Sequence, residues 1–429
     1  MWAIWKDLQY GEMAMAKMVK CLAVFVLASL LGASVAGAAS EIVYPSFMWG
    51  ETWNALFLNE LKQGFQKENP GVTVNGINVP ISAFWDKQYT DVTAGNPPDI
   101  VTLFDPHIVT FLEAGLLEPL NPYLEKAGFS LKGFVPTTGL ASKDGIFYGV
   151  PMQVNSRALL YNEALLKQAN LDPPKTTDEF YRALKVLRDP AKQQFGYATF
   201  SKPGAADVFY IEMSPITIGM GGGFFKAGKP RVTDPEMVNA LKFYKKIYDE
   251  GLIPRGVDHS TYRQMFIHGK IAMYGSGGFM VGGTEAGNPE TYKNLRTTDL
   301  PFYQGRSFTL STFLAVPKKA PNKALATKLL MTMLQDKWQQ RVVEIIKAYP
   351  ARKGMVPEKF AKENVWFAAF ERAALTSKSY APEGAERYGA EIMKIIATHM
   401  ENMLFKGVEA EQMAKEMQGE LEKFMASKK

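Results

Sequence analysis

Along this chain, segments whose apolar residues follow the two-residue period of a strand alternate with segments whose apolar residues follow the 3.6-residue period of a helix. Short apolar or alternating runs predict strands at 42–48, 72–79, 99–104, 157–161, 270–274 and 308–316. Between them, apolar residues at helical spacing predict helices, first around Leu58, Leu61 and Phe65 and later over 322–334. This alternation favours an α/β architecture with largely parallel sheets, in which ligands bind beyond the carboxyl ends of strands.

Local start and stop signals support the predicted helices. The Asn-Pro-Gly sequence at 69–71 ends the first helix. A capping box spans 176–179, where a threonine is followed three residues later by a glutamate. At 234–235 an Asp-Pro pair starts another helix, and Gly251 stops it. The tail beyond Trp338 is predicted to be mostly helical.

The first forty residues have the pattern of a secretory signal peptide. Lys17 and Lys20 precede an apolar run at 21–35, and small residues follow at 36–40. The apolar run is too short and wrongly flanked for a membrane span. Cleavage is expected between residues 38 and 41. Three later methionines are better starts than the first residue: Met13, Met15 and Met18.

Composition narrows the class of protein further. The single cysteine, Cys21, lies in the predicted leader, so the mature chain is expected to lack disulfides and thiolate metal sites. A mature chain of about 390 residues suggests two domains or three. The net charge of +6 is dispersed, which indicates a solvated surface and argues against a nucleic-acid partner. No later apolar run approaches the length of a membrane span.

The signatures of several enzyme classes fail. The histidines stand in no close ligand spacing and predict no metal site; they are His107, His259, His268 and His399. The segment 223–229 has the spacing of a phosphate loop, but Pro230 follows where a serine or threonine would hold magnesium. No serine has the G-x-S-x-G surroundings of a hydrolase nucleophile. A glycosidase pair of carboxylates stays open, because only spatial separation defines it.

Six segments, taken in their order and spacing, carry a resemblance. They are Phe65–Val74, Gly95–Ile100, Gly115–Leu120, Tyr148–Met152 with Leu159–Asn162, Pro173–Phe180 and Phe266–Met273. On these motifs the chain resembles the family 1 extracellular solute-binding proteins, the sugar-binding components of ABC importers, to which maltose-binding protein is related. The resemblance covers nearly all of the mature chain.

The resemblance implies a fold of two α/β lobes, each a mostly parallel sheet flanked by helices, which close on a ligand through three hinge crossovers. The crossovers are expected near 153–156, 274–275 and 310–315. After the signal peptide at 1–40, the N-terminal lobe would comprise 41–154 plus 275–313. The C-terminal lobe would comprise 155–274 plus 314–429.

The resemblance also implies how the protein works. It would be a periplasmic, monomeric binding protein without cofactor or enzymatic activity. Its partners would be a carbohydrate-like small molecule and the membrane permease subunits of an ABC importer. Closure would sequester the ligand and present a shape that the permease recognises.

Two strand ends supply the first candidate ligand-binding residues. Trp49, Glu51 and Trp53 alternate in the loop after the first strand, with aromatic faces and a carboxylate suited to a sugar; either tryptophan could instead lie in the core. Asp105 and His107 follow the third strand, where maltose-binding protein has an Asp–Arg ligand pair. This chain lacks that arginine, and Asp105 could equally cap the next helix.

Further candidates rest on the family resemblance. Asn155 lies at the first crossover, where maltose-binding protein carries a ligand-contacting glutamate. Tyr210 and Glu212 lie in a stretch that the family uses for an aromatic platform. Gly275, Gly277 and Gly278 precede Phe279, at the place where the family usually has a G-x-W motif, so Gly278 and Phe279 are candidates.

Three polar residues complete the candidate set. Arg306 and Ser307 precede the third crossover, and Arg352 lies in a stretch similar to a proline- and arginine-containing family motif. Arginine suits a vicinal diol or an anionic head group, although either arginine could form a surface or interlobe ion pair instead.

Three alternatives to sugar capture remain open at this point. The arginines make a glycerol phosphate, a phosphodiester or a polyol a plausible ligand. A secreted glycan-active enzyme would use two carboxylates in the cleft. A sensor-linked binding protein would pass its closed form to a receptor instead of a permease.

Overall fold

The structure is a computed structural model that describes residues 40–204, 206–302 and 308–428. The predicted signal peptide, Arg306 and Ser307 lie outside the described residues. The strands of the described chain are β1 Ser40–Ser46, β2 Val72–Asn78, β3 Val101–Phe104, β4 Ser142–Lys143, β5 Ile146–Phe147, β6 Gly149–Ser156, β7 Ala158–Asn162, β8 Phe195–Ala198, β9 Phe225–Lys226, β10 Lys229–Pro230, β11 Ile271–Ser276, β12 Leu295–Thr298, β13 Phe308–Ala315 and β14 Lys378–Ser379.

Seventeen α-helices lie in the described residues, most of them between strands or after the last long strand. They are α1 Thr52–Glu68, α2 Ile81–Thr93, α3 Asp105–Glu113, α4 Asn121–Lys126, α5 Glu163–Gln168, α6 Thr177–Leu187, α7 Ala206–Gly221, α8 Pro235–Asp249, α9 His259–Ile267, α10 Phe279–Gly287, α11 Pro289–Lys293, α12 Lys323–Met333, α13 Asp336–Arg341, α14 Glu358–Glu363, α15 Phe367–Thr376, α16 Gly389–Phe405 and α17 Ala410–Ala426. The six long strands and the four helices predicted from periodicity are confirmed to within a few residues.

The first lobe has its own hydrophobic core. β1 pairs in parallel with β2, and α1 covers this pair with Phe57, Leu58, Leu61 and Phe65, the apolar stripe that the sequence predicts. A long-range element completes the core, since Leu329, Leu330 and Trp338 of the later helices α12 and α13 belong to the same cluster.

The second lobe is built on a four-stranded sheet with the order β12-β7-β11-β8. β11 runs parallel to β8 but antiparallel to β7. Its helices begin where the sequence marks them: the Asn162 side chain caps α5, and Thr176 caps α6 by accepting from the Glu179 amide. The C-terminal helices α14 to α17 pack into this second core.

A third sheet joins the two lobes. β13 pairs antiparallel with β3 on one side and with β6 on the other, and its first residues pair in parallel with β14. The sheets are therefore mixed and not mostly parallel as expected.

The expected lobe boundaries need correction at two places. The chain does not leave the second lobe near 274–275, because β11 stays paired to β7 up to Ser276 and β12 then pairs with the same strand. Residues 275–302 therefore belong to the second lobe. Conversely, the buried apolar residues between Val316 and Ala351 lie mainly in the first core, so the last crossing follows that segment.

None of the helices in the described chain combines the length and the apolar character that crossing a bilayer requires.

Candidate functional site

The strands that join the lobes carry a row of side chains on one face. Phe104 of β3 lies opposite Thr312 of β13, which in turn lies opposite Gln153 of β6. Residues directly opposite in an antiparallel pair point to the same side of the sheet, as do residues two apart on one strand. Asn155, two residues after Gln153, therefore shares this face, which we call the floor face.

An aromatic patch of the first lobe borders the floor face. Phe104 packs at 4.7 Å from the ring of Trp85, and His107 stacks on Trp85 at 4.0 Å with nearly parallel planes. All three side chains are partly exposed. Burial lowers the pKa of His107 to about 4, so its ring is neutral at physiological pH. The patch therefore offers an uncharged aromatic surface at the carboxyl ends of β1 and β3.

A polar cluster of the second lobe borders the floor face at its other end. The buried carboxylate of Glu212 accepts a hydrogen bond from Arg263 at 2.9 Å and another from the Tyr274 hydroxyl at 2.7 Å. The guanidinium of Arg263 lies 5.0 Å from the ring centre of Phe279, and that of Arg157 lies 5.9 Å from it. Arg157, two residues beyond Asn155, connects the cluster to β6.

The electrostatics of this cluster keep Glu212 charged. Burial raises the pKa of Glu212, but the charges of Arg263 and Arg157 and the Tyr274 hydroxyl outweigh burial and hold the pKa below its usual value. Glu212 is therefore ionised and engaged with protein groups. Its role in the structure is to hold Arg263, whose side chain remains 28% exposed over Phe279.

The first turn of α1 meets α10 across the lobes. A Cβ atom placed on Gly282 would lie 3.4 Å from the indole of Trp53, and one placed on Gly278 would lie 1.8 Å from the carbonyl oxygen of Lys347. Glu51, two residues before Trp53, is accessible to solvent. Desolvation raises the pKa of Glu51 above its usual value, and the hydrogen bond from Asn54 and the charge of Arg263 on the other lobe offset the rise only in part.

Three residues of the predicted site lie elsewhere. Trp49 packs within the first lobe, where its indole N–H donates to the Tyr44 carbonyl and its ring covers Gly76. Tyr210 is buried in the second core with its hydroxyl donating to the Tyr380 carbonyl. Arg352 bonds to Asp336 and to a backbone carbonyl of the first lobe. Local sequence could not distinguish these structural contacts from a ligand site.

Asp105 is also unavailable to a ligand. It is fully buried, and its carboxylate accepts from the Ser311 amide of β13 and from the Ser379 hydroxyl of β14. The prediction that it binds ligand is therefore wrong for this structure. The side chain instead connects α3 to the strands that join the lobes.

Seven predicted residues border the floor face, its polar cluster or the seam between α1 and α10: Glu51, Trp53, His107, Asn155, Glu212, Gly278 and Phe279. Sequence reasoning missed Trp85, Gln153, Arg157 and Arg263. The pairing of β3, β13 and β6 brings them near the predicted residues, and no local motif reveals that pairing. The alternation of Gln153, Asn155 and Arg157 along β6 is a signal that could have identified two of them.

The site combines several kinds of ligand-binding group. Among the described residues, no group of three or more His, Cys, Asp or Glu side chains is placed to hold a metal ion. The cleft instead combines aromatic rings, amides, a guanidinium and a solvent-accessible carboxylate. Such groups suit a ligand with polar edges and apolar faces.

Comparison with known proteins places this arrangement in a family. The model of the bacterial extracellular solute-binding protein family matches residues 46–340. A galactooligosaccharide-binding protein of Bacillus subtilis is 25% identical, over 79% of this chain and 82% of that relative.

Solved structures share the two-lobed fold. A tagatose complex of a solute-binding protein from Thermotoga lettingae superposes with a TM-score of 0.77 at 22% identity, covering 90% of this chain and 99% of the other. A glycerophosphocholine complex from Mycobacterium tuberculosis superposes with a TM-score of 0.77 at 18% identity, covering 91% and 99%. The family match spans more than half of the sequence and both lobes, and the chain thus belongs to the bacterial extracellular solute-binding protein family.

Proposed function

We propose that this protein captures a carbohydrate-like ligand in the cleft between its lobes and delivers it to the permease subunits of an ABC importer. The observation that carries the proposal is the floor face. There an aromatic patch of Trp85, Phe104 and His107 adjoins the buried amides of Gln153 and Asn155. A sugar ring presents apolar C–H faces to aromatic rings and hydroxyls to amides, and so matches both halves of this surface.

Closure of the lobes would complete the site. The strands β6 and β13 join the lobes beneath the ligand, so a hinge motion there would bring Arg263 and Phe279 toward the aromatic patch. Glu51 and Trp53 would approach α10 in the same motion. The protein would act by binding alone, as a monomer without a cofactor, and would reach the periplasm by means of a cleaved signal peptide at its N-terminus.

The charges of the cleft favour an uncharged ligand. Arg263 and Arg157 are matched by Glu212 and Glu51, and Glu212 is already hydrogen-bonded to Arg263. A phosphate or carboxylate ligand would meet the negative Glu51 with no surplus positive charge to compensate it. Two relatives in the family point the same way, since they are described as binding a galactooligosaccharide and tagatose.

A glycerophosphodiester is the second candidate. Two guanidinium groups lie near one ring, that of Phe279, and arginine is well suited to phosphate. A structural relative was solved with glycerophosphocholine. Under this alternative the phosphate would bind at Arg263 on the second lobe.

A thermal-unfolding panel tests the proposal. The mature protein, freed of ligand by partial unfolding and refolding, is heated with galactooligosaccharides, maltotriose, tagatose, glycerol 3-phosphate and glycerophosphocholine. A ligand at 100 times its Kd stabilises the fold by about 2.7 kcal/mol, which raises Tm by several degrees. A rise with a neutral sugar supports the proposal, and a rise only with phosphorylated compounds favours the second candidate.

A variant pair locates the binding surface. Trp85→Ala removes the central ring of the aromatic patch and is expected to weaken sugar binding at least tenfold. Tyr89→Ala, one turn further along α2, removes an exposed ring that contacts Phe111 outside the patch, and should leave affinity unchanged. Equal effects of the two substitutions in titration calorimetry would place the ligand elsewhere.

A further inference from the structure

We infer that Gln153 is a specificity-determining residue that, together with Asn155, presents two buried oxygen acceptors to hydroxyl groups of the ligand. The inference rests on the proposed function and assigns hydrogen-bonding roles to one face of β6. Asn155 was expected to contact ligand, whereas nothing in the sequence motifs points to Gln153.

Both amides are buried and neither amide oxygen has a partner. Gln153 is 4% exposed and Asn155 is 8% exposed. The Oε1 atom of Gln153 and the Oδ1 atom of Asn155 are inaccessible to solvent and accept no hydrogen bond from the described residues. Buried polar groups in native proteins are almost always hydrogen-bonded, and each exception calls for an explanation.

The register of the sheet directs both side chains to the same place. Gln153 lies opposite Thr312, and Asn155 lies opposite Leu310, with Val154 between them on the other face. Residues that are two positions apart on a strand are separated by about 7 Å. Once an opening of the lobes exposes them, the two oxygens can therefore receive different hydroxyls of one ligand that lies across the floor face next to Phe104.

The same chain contains a glutamine that shows what a structural role looks like. Gln88 is also 4% exposed. Its Nε2 donates to the Thr102 carbonyl at 2.8 Å, and its Oε1 accepts from the Thr102 amide at 3.0 Å. Gln88 uses both ends of its amide within the fold, whereas the oxygen of Gln153 is left for a group outside it.

The type of atom that is unpaired bears on ligand class. An amide oxygen accepts and cannot donate, so it requires a ligand hydroxyl or N–H. A site with buried acceptors discriminates strongly against an analogue that lacks the matching donor, because the acceptor then stays unpaired. A sugar meets this requirement with several hydroxyls, whereas the ionised phosphate of a glycerophosphodiester offers only acceptors and its glycerol supplies at most two hydroxyls.

Ligand-free stability gives the first arm of the test. Gln153→Met keeps the length of the side chain and removes the unpaired oxygen, so the Tm of the ligand-free protein should rise by about 2–4 °C. Gln88→Met leaves the Thr102 amide and carbonyl without partners and should lower Tm. If Gln153→Met lowers Tm as Gln88→Met does, the oxygen is paired within the fold and the inference is overturned.

Binding gives the second arm. Calorimetry measures the affinity of each variant for whichever of maltotriose, galactooligosaccharide or tagatose stabilises the wild type. Gln153→Met should weaken that affinity at least tenfold although the protein is more stable, a combination that a structural residue does not produce. Unchanged affinity overturns the role of Gln153 alone. If no sugar in the panel binds the wild type, the proposed function itself is contradicted. The Tm comparison of ligand-free Gln153→Met and Gln88→Met still tests whether the Gln153 oxygen is unpaired.

Discussion

At the scale of single residues, Asp105 lies where the sequence predicts, directly after the third strand, but its contacts are those of a structural residue and not of a ligand-binding one. This is the position for which the resemblance to maltose-binding protein implies a ligand contact. The structure buries it completely and gives its oxygens to the Ser311 amide and the Ser379 hydroxyl. Burial raises the pKa of this carboxyl to about 7, and the hydrogen bonds from Ser379 and Ser311 only partly offset the rise.

Asp105 should make stability depend on pH near neutrality. Its folded pKa of about 7 exceeds the ordinary pKa of 3.8 for an aspartate, so its contribution to stability is complete below pH 4 and is lost as the pH rises through 7. The loss is on the order of a few kcal/mol. Asp105→Asn keeps an acceptor for Ser311 and removes the charge, so its Tm should fall less than that of the wild type between pH 5 and pH 8.

A second aspartate serves as the control for this comparison. Asp258 caps α9, and hydrogen bonds from the Thr261 amide and the Ser260 hydroxyl hold its pKa below the usual range. Its contribution is lost only as the pH falls below about 4. Asp258→Asn should therefore leave the pH 5–8 profile parallel to that of the wild type. A wild-type profile that already matches Asp105→Asn would show that Asp105 does not titrate there.

The residues that sequence could and could not identify differ in a physical way. His107 follows a strand whose carboxyl end is predictable, so its position near a cleft could be anticipated, whereas Asn155 was placed at the first crossover by the family resemblance. Trp85 and Arg263 lie on helices with no motif, and they reach the site only because distant strands pair. Trp49 and Tyr210 were expected in the ligand site but pack inside the lobes. The sequence around an aromatic residue does not show which distant residues cover its ring.

At the scale of elements, α10 approaches the first lobe unusually closely at its N-terminus. Gly278 has ordinary helical dihedral angles, so a side chain there causes no backbone strain. A Cβ atom would nevertheless lie 1.8 Å from the carbonyl oxygen of Lys347. The contact joins the backbone of the second lobe to that of the first, with no side chain between them.

Gly278→Ala should separate the two elements. We expect it to lower Tm by several degrees and to increase the radius of gyration in small-angle X-ray scattering, because Lys347 must move away. Gly283→Ala is the matched control on the same helix. Its Cβ atom would have only Ile267 nearby, at 4.0 Å, and alanine is a better helix former than glycine by about 1 kcal/mol. If Gly283→Ala lowered Tm and Gly278→Ala left it unchanged, this account would be contradicted.

Element types were more predictable than their grouping into lobes. Periodicity identified six strands and four helices, because the alternation of apolar residues depends on local geometry, but it did not predict β6 or α7. The lobe to which α10, β12 and α12 belong depends on pairing between residues more than a hundred positions apart, as in β12 with β7. The sequence contains no local signal for that choice, and the expected boundaries were wrong there.

At the scale of the whole molecule, the charges that the two lobes bring to the cleft are nearly balanced. Glu51 of the first lobe faces Arg263 of the second, and Glu212 compensates the arginines from below. Salt screens interactions between exposed charges and changes ligand affinity only where the ligand is charged.

Affinity for the proposed sugar should therefore be nearly independent of ionic strength. We expect Kd to change by less than about twofold between 0.05 and 0.5 M NaCl in calorimetric titrations. A buffer series with choline chloride controls for specific ion effects. A loss of tenfold or more over this range would indicate an anionic ligand and would revive the glycerophosphodiester alternative.

The order of elements along the chain has a consequence for biosynthesis. The first core needs α12, which starts at Lys323, and the second needs helices up to Leu421. A nascent chain that has only reached residue 300 thus has neither core complete, although most of its strands have been made. For a protein that we propose is exported, this interleaving delays folding until synthesis is almost finished. The polypeptide can therefore cross a membrane while it is still unfolded.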